Sequence, residues 1–232
     1  RPQDIIVSID GEATNGMSID EAVSKIRGPK DSKVELRILR GQEDHDFTIT
    51  RADIKVPSVK YEVLNGNIGY IQINRFGEDT SELTASAAQD LKKKGVKGVI
   101  LDLRGNPGGL LDASVAIASL WLPEGKPIVQ QKRGSKVVDT AYANGNDILQ
   151  GMPTVVLINE GSASASEIVA GALKDHKAAK LIGLKTYGKG SVQELERFSG
   201  GAELKVTVAR WYTPNGQNID KKGIAPDTEV QM

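Results

Sequence analysis

The chain has 232 residues, more than one typical domain, so one large and one smaller domain are expected. Its 30 basic and 30 acidic side chains cancel and aromatic residues make up only 4%, which argues against nucleic acid as a partner. The lack of cysteine excludes disulfides and thiolate chemistry, and two histidines without an H-E-x-x-H motif predict no metal and no other cofactor.

The first 51 or so residues predict a small α+β unit. The expected elements are a strand over 5–9, a helix over 19–26, and a hairpin of 34–38 and 47–49 with its turn at 41–44. Ser18 and Glu21 have the spacing of a capping box, which fixes the start of the helix. A generic small module would explain this pattern by itself.

These residues also resemble the second half of a PDZ domain of the kind found in carboxyl-terminal processing peptidases. The resemblance is carried by the runs P-x-D-x-I-x-x-I-D-G, which begins at Pro2, and A-V-x-x-I-R-G, which begins at Ala22. It implies that residues 1–54 are the C-terminal part of a PDZ-like domain. The loop with which such a domain holds a peptide carboxylate would lie before Arg1, so no residue is assigned to peptide capture.

Residues 55–232 predict a second domain, with Pro57 marking the joint. The expected elements are strands at 68–73, 99–103, 154–158 and 203–208, helices at 81–94 and 164–173, a helix ending at Ala118, and a loop at 212–216. The apolar strands at 99–103 and 154–158 each run into a glycine turn and a helix, an order typical of parallel α/β structure. Both turns should therefore open at the same edge of one sheet.

The turn G-S-A-S-A-S-E at 161–167 contains a candidate nucleophile. Ser164, with Glu167 three residues later, lies at a predicted helix start, where the macrodipole and the free amide of Ala165 would favour an oxyanion. Serine is also among the commonest helix N-caps, so the motif alone leaves both roles open.

Two further motifs have an ordinary and a catalytic interpretation. R-G-N-P-G-G at 104–109 lacks the ending of a phosphate-binding loop, and suits either an oxyanion hole or a plain tight turn. In T-Y-G-K-G-S-V-Q at 186–193, Lys189 lies between two glycines; most lysines are solvated surface charges, but burial beside the serine would favour the neutral amine that a base requires. Gln193 could orient that amine without adding an anion.

Together the three motifs resemble those of carboxyl-terminal processing, or tail-specific, serine peptidases. The resemblance implies Ser164 as nucleophile, Lys189 as general base and Gln193 as the third member, with an oxyanion hole of the amides of Ala165 and Gly108, Gly109 being the near rival. It also implies a ClpP/crotonase-like spiral core of mostly parallel strands and helices over 55–232, preceded by the partial PDZ domain. The expected enzyme is thus a serine endopeptidase acting through an acyl-enzyme.

The same resemblance extends to partners and location. Protein or peptide substrates recognised near their C-terminus would bind as an extended strand, and homo-oligomers would form through segments outside this sequence. The expected location is extracytoplasmic, in a bacterial envelope or periplasm or an organelle lumen, with any membrane association supplied by a segment outside the sequence. Arg27, near the joint, is a candidate regulatory contact.

Three alternatives compete with this interpretation. A histidine triad is disfavoured, because His176 lies about 18 Å along the helix from Ser164 at 1.5 Å per residue and His45 lies in the small domain's hairpin. A PDZ-type peptide-binding scaffold with an inactive or gated peptidase core stays open. An acyl-CoA enzyme on the same core would have no use for a Ser/Lys pair.

Overall fold

A computed structural model describes residues 4–53, 57–197 and 203–230 of the chain. The chain divides into two compact units, Arg1–Val56 and Pro57–Met232. Within the described residues, no helix is both long and apolar enough to cross a membrane.

The first unit is a four-stranded antiparallel sheet with one helix. Its elements are β1 Ile5–Ile9, β2 Glu12–Ala13, α1 Ile19–Ile26, β3 Lys33–Arg40 and β4 Glu43–Thr50, with the strand order β2-β1-β3-β4. The predicted cap is present, because Glu21 N–H donates to Ser18 Oγ at 3.2 Å. The hairpin turn is shorter than the predicted 41–44: β4 already begins at Glu43, since Gly41, with φ +65°, allows a tight turn.

The second unit contains two sheets and three helices among its described residues. Its elements are β5 Val59–Leu64, β6 Ile68–Ile73, α2 Thr80–Lys93, β7 Gly98–Asp102, α3 Leu111–Ala118, β8 Pro127–Arg133, β9 Lys136–Tyr142, β10 Thr154–Ile158, α4 Ala165–Asp175, β11 Lys180–Gly183, β12 Ser191–Arg197, β13 Glu203–Tyr212 and β14 Thr228–Glu229. The predicted mixed α/β class is confirmed.

The larger sheet has six strands in the order β14-β11-β10-β7-β6-β5. All neighbouring pairs are parallel except β5 with β6. Buried residues alternate along β6 and along β10, where Thr154, Val156 and Ile158 are buried. This face and the helices α2, α3 and α4 form the hydrophobic core, to which α4 contributes Val169 and Leu173.

The smaller sheet is antiparallel, with the order β12-β13-β8-β9. No element is predicted from the sequence for 119–153, where the structure has β8 and β9. These strands mix apolar and charged residues without a clean alternation, and β9 is mostly exposed, which removes the periodic signal of a half-buried strand.

The predicted meeting of two turns at one sheet edge is confirmed. β7 and β10 are adjacent and parallel, with Leu101 opposite Val156, so the turns that follow them open side by side. This edge therefore brings together the turn at 104–109, called the glycine turn below, and the turn at 161–167, called the serine turn.

Candidate active site

Ser164 lies at a sharp turn between β10 and α4. It is the N-cap of α4, is half-buried, and adopts φ +54° and ψ −116°. A positive φ in a residue other than glycine costs on the order of 1–3 kcal/mol and persists only where the surroundings enforce it. Nucleophiles at strained strand-to-helix turns have this kind of backbone, because the turn presents the hydroxyl at the end of the sheet.

Hydrogen bonds between the glycine turn and the serine turn enforce this geometry. Asn106 O accepts both Ala163 N–H and Ser166 Oγ–H, each at 3.0 Å. Gly105 N–H donates to Asn159 Oδ1 at 2.8 Å. The two turns thus behave as one packed unit rather than as independent loops.

The backbone amides near Ser164 differ in whether they are already paired. Ser164 N–H donates to Glu167 Oε2 at 2.9 Å, and Gly108 N–H donates to Asn106 Oδ1 at 2.9 Å. Within the described part of the chain, the amides of Ala165 and Gly109 make no hydrogen bond to the protein. Of the two glycine amides considered from the sequence, the one at Gly109 is therefore free to donate a hydrogen bond to an oxyanion without losing another bond.

The carboxylate of Glu167 links the serine turn to the segment 186–193 around Lys189, called the lysine loop below. The predicted capping-box pairing of Ser164 and Glu167 is present, but the same side chain also accepts Lys189 N–H at 2.8 Å and Gly188 N–H at 2.7 Å. Sequence analysis treated Glu167 only as a helix cap. The sequence did contain a sign of a further role: Glu167 is followed by Ile168 and Val169 in an apolar helix. A charged residue in such a helix is rarely buried unless hydrogen-bond or ion-pair partners surround it.

The side chain of Lys189 is exposed, whereas a lysine that acts as a base at neutral pH would have to be buried beside the serine. Within residues 4–53, 57–197 and 203–230, its ammonium makes no hydrogen bond or ion pair, so it does not contact the Ser164 hydroxyl at hydrogen-bonding distance. The physical reason is that the lysine loop is held by its backbone amides, which fix the main chain but leave the side chain at the surface. The structure thus brings together the two backbones and not the two functional groups.

A cavity of about 280 Å³ lies beside Ser164. Its lining residues are Gly109, Leu111, Ser164, Ala165, Ile168, Ser191, Val192, Gln193 and Trp211. Gln193 follows a bulge in β12, where the register with β13 shifts between Val192 and Gln193, and bulges redirect side chains in this way. Ser164 and Gln193 therefore share one cavity, which polar and apolar side chains line together.

The two histidines and Arg27, which were considered from the sequence, lie elsewhere. His176 is the C-cap of α4, the opposite end from Ser164, and its Nε2 lies 2.7 Å from Pro127 O. His45 lies in β4 of the first unit. Arg27 is an exposed C-cap of α1, also in the first unit. Asp175, near the end of α4, accepts Asn215 N–H at 2.8 Å, which gives it a structural role in fixing the 212–216 loop.

Three polar residues, Tyr70 of β6 and Asp102 and Arg104 at the end of β7, form a cluster before the glycine turn. Asp102 is buried and accepts hydrogen bonds from Tyr70 Oη at 2.6 Å and from Arg104 Nη2 at 2.6 Å. Burial alone would raise the pKa of Asp102, but hydrogen bonds from Arg104 and Tyr70 outweigh burial and hold this pKa below its usual range. Burial, followed by the bond to Asp102, raises the pKa of Tyr70 to about 12. At neutral pH the cluster is thus a carboxylate held between a neutral phenol and a guanidinium.

Among the residues that the structure describes, no three histidine or acidic side chains are grouped so as to hold a metal ion. The candidate site consists instead of a hydroxyl, an amide side chain, backbone amides and a nearby lysine loop. Such a set of groups is suited to acyl transfer, in which a nucleophilic oxygen attacks a carbonyl and backbone amides stabilise the charge.

Comparisons with known proteins give the class to which this site belongs. Residues 67–230 match the family model of peptidase family S41, and residues 1–40 match that of a PDZ domain. The chain belongs to peptidase family S41. This confirms the resemblance noted from the sequence and its class, a serine-type peptidase.

Individual relatives agree with the family match. The chain is 43% identical to a probable CtpA-like serine protease of Staphylococcus aureus over 99% of its length, and 43% identical to the carboxy-terminal processing protease CtpA of Bacillus subtilis over 100%. A solved structure of the photosystem II D1 C-terminal processing protease aligns with 98% of the chain at 35% identity and a TM-score of 0.75. The chain spans about half the length of these curated relatives, 46% and 50%, and 63% of the solved one.

Proposed function

We propose that this chain is the catalytic part of a serine endopeptidase in which Ser164 is the nucleophile, Lys189 the general base and Gln193 the residue that orients the lysine. The observation that supports this most strongly is the cavity that Ser164 shares with Gln193 and with the unpaired amides of Gly109 and Ala165. His176 is not available to Ser164, because it lies at the far end of α4.

In the proposed reaction, Lys189 takes the proton of Ser164 Oγ as that oxygen attacks the carbonyl carbon of the substrate. Ala165 N–H and an amide of the glycine turn bind the resulting oxyanion. The family resemblance implies Gly108 as the glycine donor, but its N–H would first have to give up its hydrogen bond to Asn106 Oδ1. The N–H of Gly109 has no such bond to give up. The intermediate collapses, the amine leaves with the proton from Lys189, and water hydrolyses the ester to free the serine.

The proposed substrates are proteins or peptides with an apolar residue on the acyl side of the cleaved bond. Support comes from the side chains of Leu111, Ile168, Val192 and Trp211 that line the cavity beside Ser164. The cavity adjoins β12, an edge strand of the smaller sheet, and an extended peptide could pair with such an edge. Recognition near the substrate C-terminus is proposed on the basis of the PDZ match and of the relatives' names as C-terminal processing proteases.

The proposed domains are residues 1–54, the C-terminal part of a PDZ-like domain, and residues 55–232, the peptidase core. The division of the chain at Val56 and Pro57 and the two family matches support this assignment. Arg27 is retained as a proposed regulatory residue because its side chain is exposed. Extracytoplasmic location and homo-oligomers formed through segments outside this sequence are proposed from family membership.

A second candidate function is a peptide-binding protein whose peptidase core is gated. The exposed side chain of Lys189, without a contact to the Ser164 hydroxyl, favours this possibility over a permanently assembled pair. The two candidates differ in what happens when an apolar peptide with a free C-terminus is added. A gated core reacts slowly with a serine-directed fluorophosphonate until the peptide is present, whereas an assembled core reacts equally fast without it.

Cleavage of an unfolded model protein by the full-length enzyme tests the proposal. Ser164→Ala should abolish turnover, and Lys189→Ala should lower kcat by about 10²–10⁴-fold, the usual contribution of a general acid–base group. His176→Ala should cleave at close to the parent rate. Full activity in Lys189→Ala would overturn the proposed base, and activity in Ser164→Ala would overturn the nucleophile.

A further inference from the structure

Glu167 is a fully buried carboxylate in the first turn of α4. An ionised carboxylate away from water is costly unless its oxygens are paired. Among the described residues it forms no ion pair with Lys189, so neutral hydrogen-bond donors satisfy it. These donors identify what the side chain holds in place.

Four donors converge on the two carboxylate oxygens. Oε1 accepts Thr186 Oγ1–H at 2.5 Å and Gly188 N–H at 2.7 Å. Oε2 accepts Ser164 N–H at 2.9 Å and Lys189 N–H at 2.8 Å. A carboxylate has about four lone-pair sites, so its capacity is filled. Three of the four donors lie in the segment 186–189 rather than at the start of α4, more than a helix cap requires.

The bonds to Oε2 connect the proposed nucleophile and the proposed base directly. Because the amide nitrogens of Ser164 and Lys189 bond the same oxygen, they are less than about 6 Å apart. The chain between them includes the rest of α4 and the whole of β11. One side chain thus fixes the distance between two residues that the sequence separates widely.

The opposite side of the lysine loop is closed by backbone packing. A Cβ on Gly190 would lie 2.2 Å from Asp220 N, and a Cβ on Gly223 would lie 2.3 Å from Thr186 O. Thr186 Oγ1 also accepts Ile224 N–H at 2.7 Å. The loop therefore cannot move away from the 219–224 segment without losing these contacts, and Glu167 holds it from the other side.

We propose that Glu167 is a positioning residue for catalysis: it sets the main chain of Lys189 at a fixed distance from Ser164, so that only the lysine side chain has to move to complete the site. The proposal rests on the proposed function, in which Ser164 and Lys189 react as a pair. Glu167 acts through the backbone of both residues and does not touch substrate.

Glu167→Gln in the full-length enzyme tests this proposal, with Glu160→Gln as a matched control on the exposed part of the same turn. The glutamine keeps the shape of the side chain but replaces one carboxylate oxygen by an NH₂ group. In either orientation of the amide, this NH₂ group faces at least one backbone N–H, so a donor meets a donor and a hydrogen bond is lost. We expect kcat to fall about 10- to 100-fold, as for other groups that orient a functional residue. KM should change less than twofold, and Glu160→Gln should match the parent.

Hydrogen exchange separates positioning from a general loss of stability. In Glu167→Gln the amides of Ser164, Gly188 and Lys189 should exchange at least 10-fold faster, while those of Val99 and Leu101 in β7 stay as in the parent. Unchanged exchange at Ser164 and Lys189, or a folded variant with kcat within twofold of the control, would overturn the proposal. Because exchange requires no turnover, this result stands even if Lys189→Ala proves fully active and the proposed base fails.

Thr186 supplies a second variant in case Glu167→Gln does not fold. Thr186→Val removes one donor from Oε1 and leaves both bonds to Oε2, so kcat should fall by less than in Glu167→Gln. Thr186→Ser keeps the hydroxyl and should restore kcat to within about threefold of the parent, in line with the small effect of losing one methyl group. Equal activity of the valine and serine variants would contradict the proposed role of the carboxylate cluster.

Discussion

The Cα of Gly108 lies so close to Ser164 that a Cβ built on the glycine would come within 2.7 Å of Ser164 Cβ and 2.9 Å of Ala165 N. Gly108 also has φ +99°, which residues with a Cβ rarely adopt. The glycine turn is therefore in direct contact with the serine turn, and the shape of the candidate site depends on this contact.

Replacement of this glycine should affect both stability and catalysis. Gly108→Ala is expected to destabilise the protein by more than about 2 kcal/mol and to lower kcat about 100-fold, because the Cβ displaces the turn that carries Ser164. Urea denaturation and peptide cleavage measure the two effects. Gly105→Ala is the control: its φ is +66°, but nothing lies within 4 Å of the added Cβ, so only about 1 kcal/mol should be lost. Equal effects in the two variants would contradict this interpretation.

The three serines of the 161–167 turn should separate into two groups. Ser162 Oγ–H donates to Leu103 O at 2.8 Å and Ser166 Oγ–H donates to Asn106 O at 3.0 Å, and both residues are fully buried. Their alanine variants should lose about 1 kcal/mol of stability for each buried hydrogen bond removed, and Ser162 makes two, because its Oγ also accepts Asn159 N–H at 3.0 Å. Both variants should still be labelled by a serine-directed fluorophosphonate.

Ser164→Ala should show the opposite result, with no labelling and a loss of stability of no more than about 1 kcal/mol, the typical cost of an N-cap serine. Mass spectrometry of the labelled protein and urea denaturation provide the measurements. Labelling of Ser164→Ala would show that another hydroxyl is the reactive one.

The cavity beside Ser164 should determine which residue is accepted before the cleaved bond. Leu111→Trp would fill part of the cavity, so kcat/KM for a peptide with leucine at that position should fall about 10- to 100-fold relative to one with alanine. Leu110→Trp is the matched control, because Leu110 is exposed and does not line the cavity. An equal loss for both peptides would mean that the cavity does not receive this side chain.

The pH dependence of stability should reflect the cluster of Tyr70 and Asp102. The pKa of Tyr70 is raised to about 12 in the folded protein, so the protonated phenol stabilises the fold below pH 10, and this stabilisation is lost as the pH rises toward 12. The lowered pKa of Asp102 has the opposite sign: its stabilisation is present above the unfolded value of about 3.9 and is lost as the pH falls through the folded value.

Absorbance at about 295 nm, compared between the parent protein and Tyr70→Phe, isolates the ionisation of this tyrosine from that of the other four. Asp102→Asn should shift the ionisation of Tyr70 to lower pH, because the neighbouring anion is removed. A midpoint near 10 for Tyr70 in the parent would contradict the burial and hydrogen bonding described for this cluster.

Much of the scaffold of the site could be predicted from local patterns. The strand at 154–158 has the predicted bounds, and helix α1 begins at its predicted cap, because residue periodicity and capping are set by neighbours in the sequence. Helix α2 and strand β7 each begin and end one residue earlier than predicted. Strand β8 was missed, since it pairs with β13 more than 60 residues away in the chain, and β9, which pairs with β8, is mostly exposed and carries no clear alternation.

The sequence by itself determined the family, the mixed α/β class and the candidate residues Ser164, Lys189 and Gln193, because short motifs and periodicity are local properties of the chain. Only the tertiary structure decided which amides are free, that the Lys189 side chain is exposed, and that Glu167 bonds the backbones of both Ser164 and Lys189. The reason is that a hydrogen bond depends on the distance between two groups in space, and the partners of these amides and carboxylate oxygens come from segments far apart in sequence.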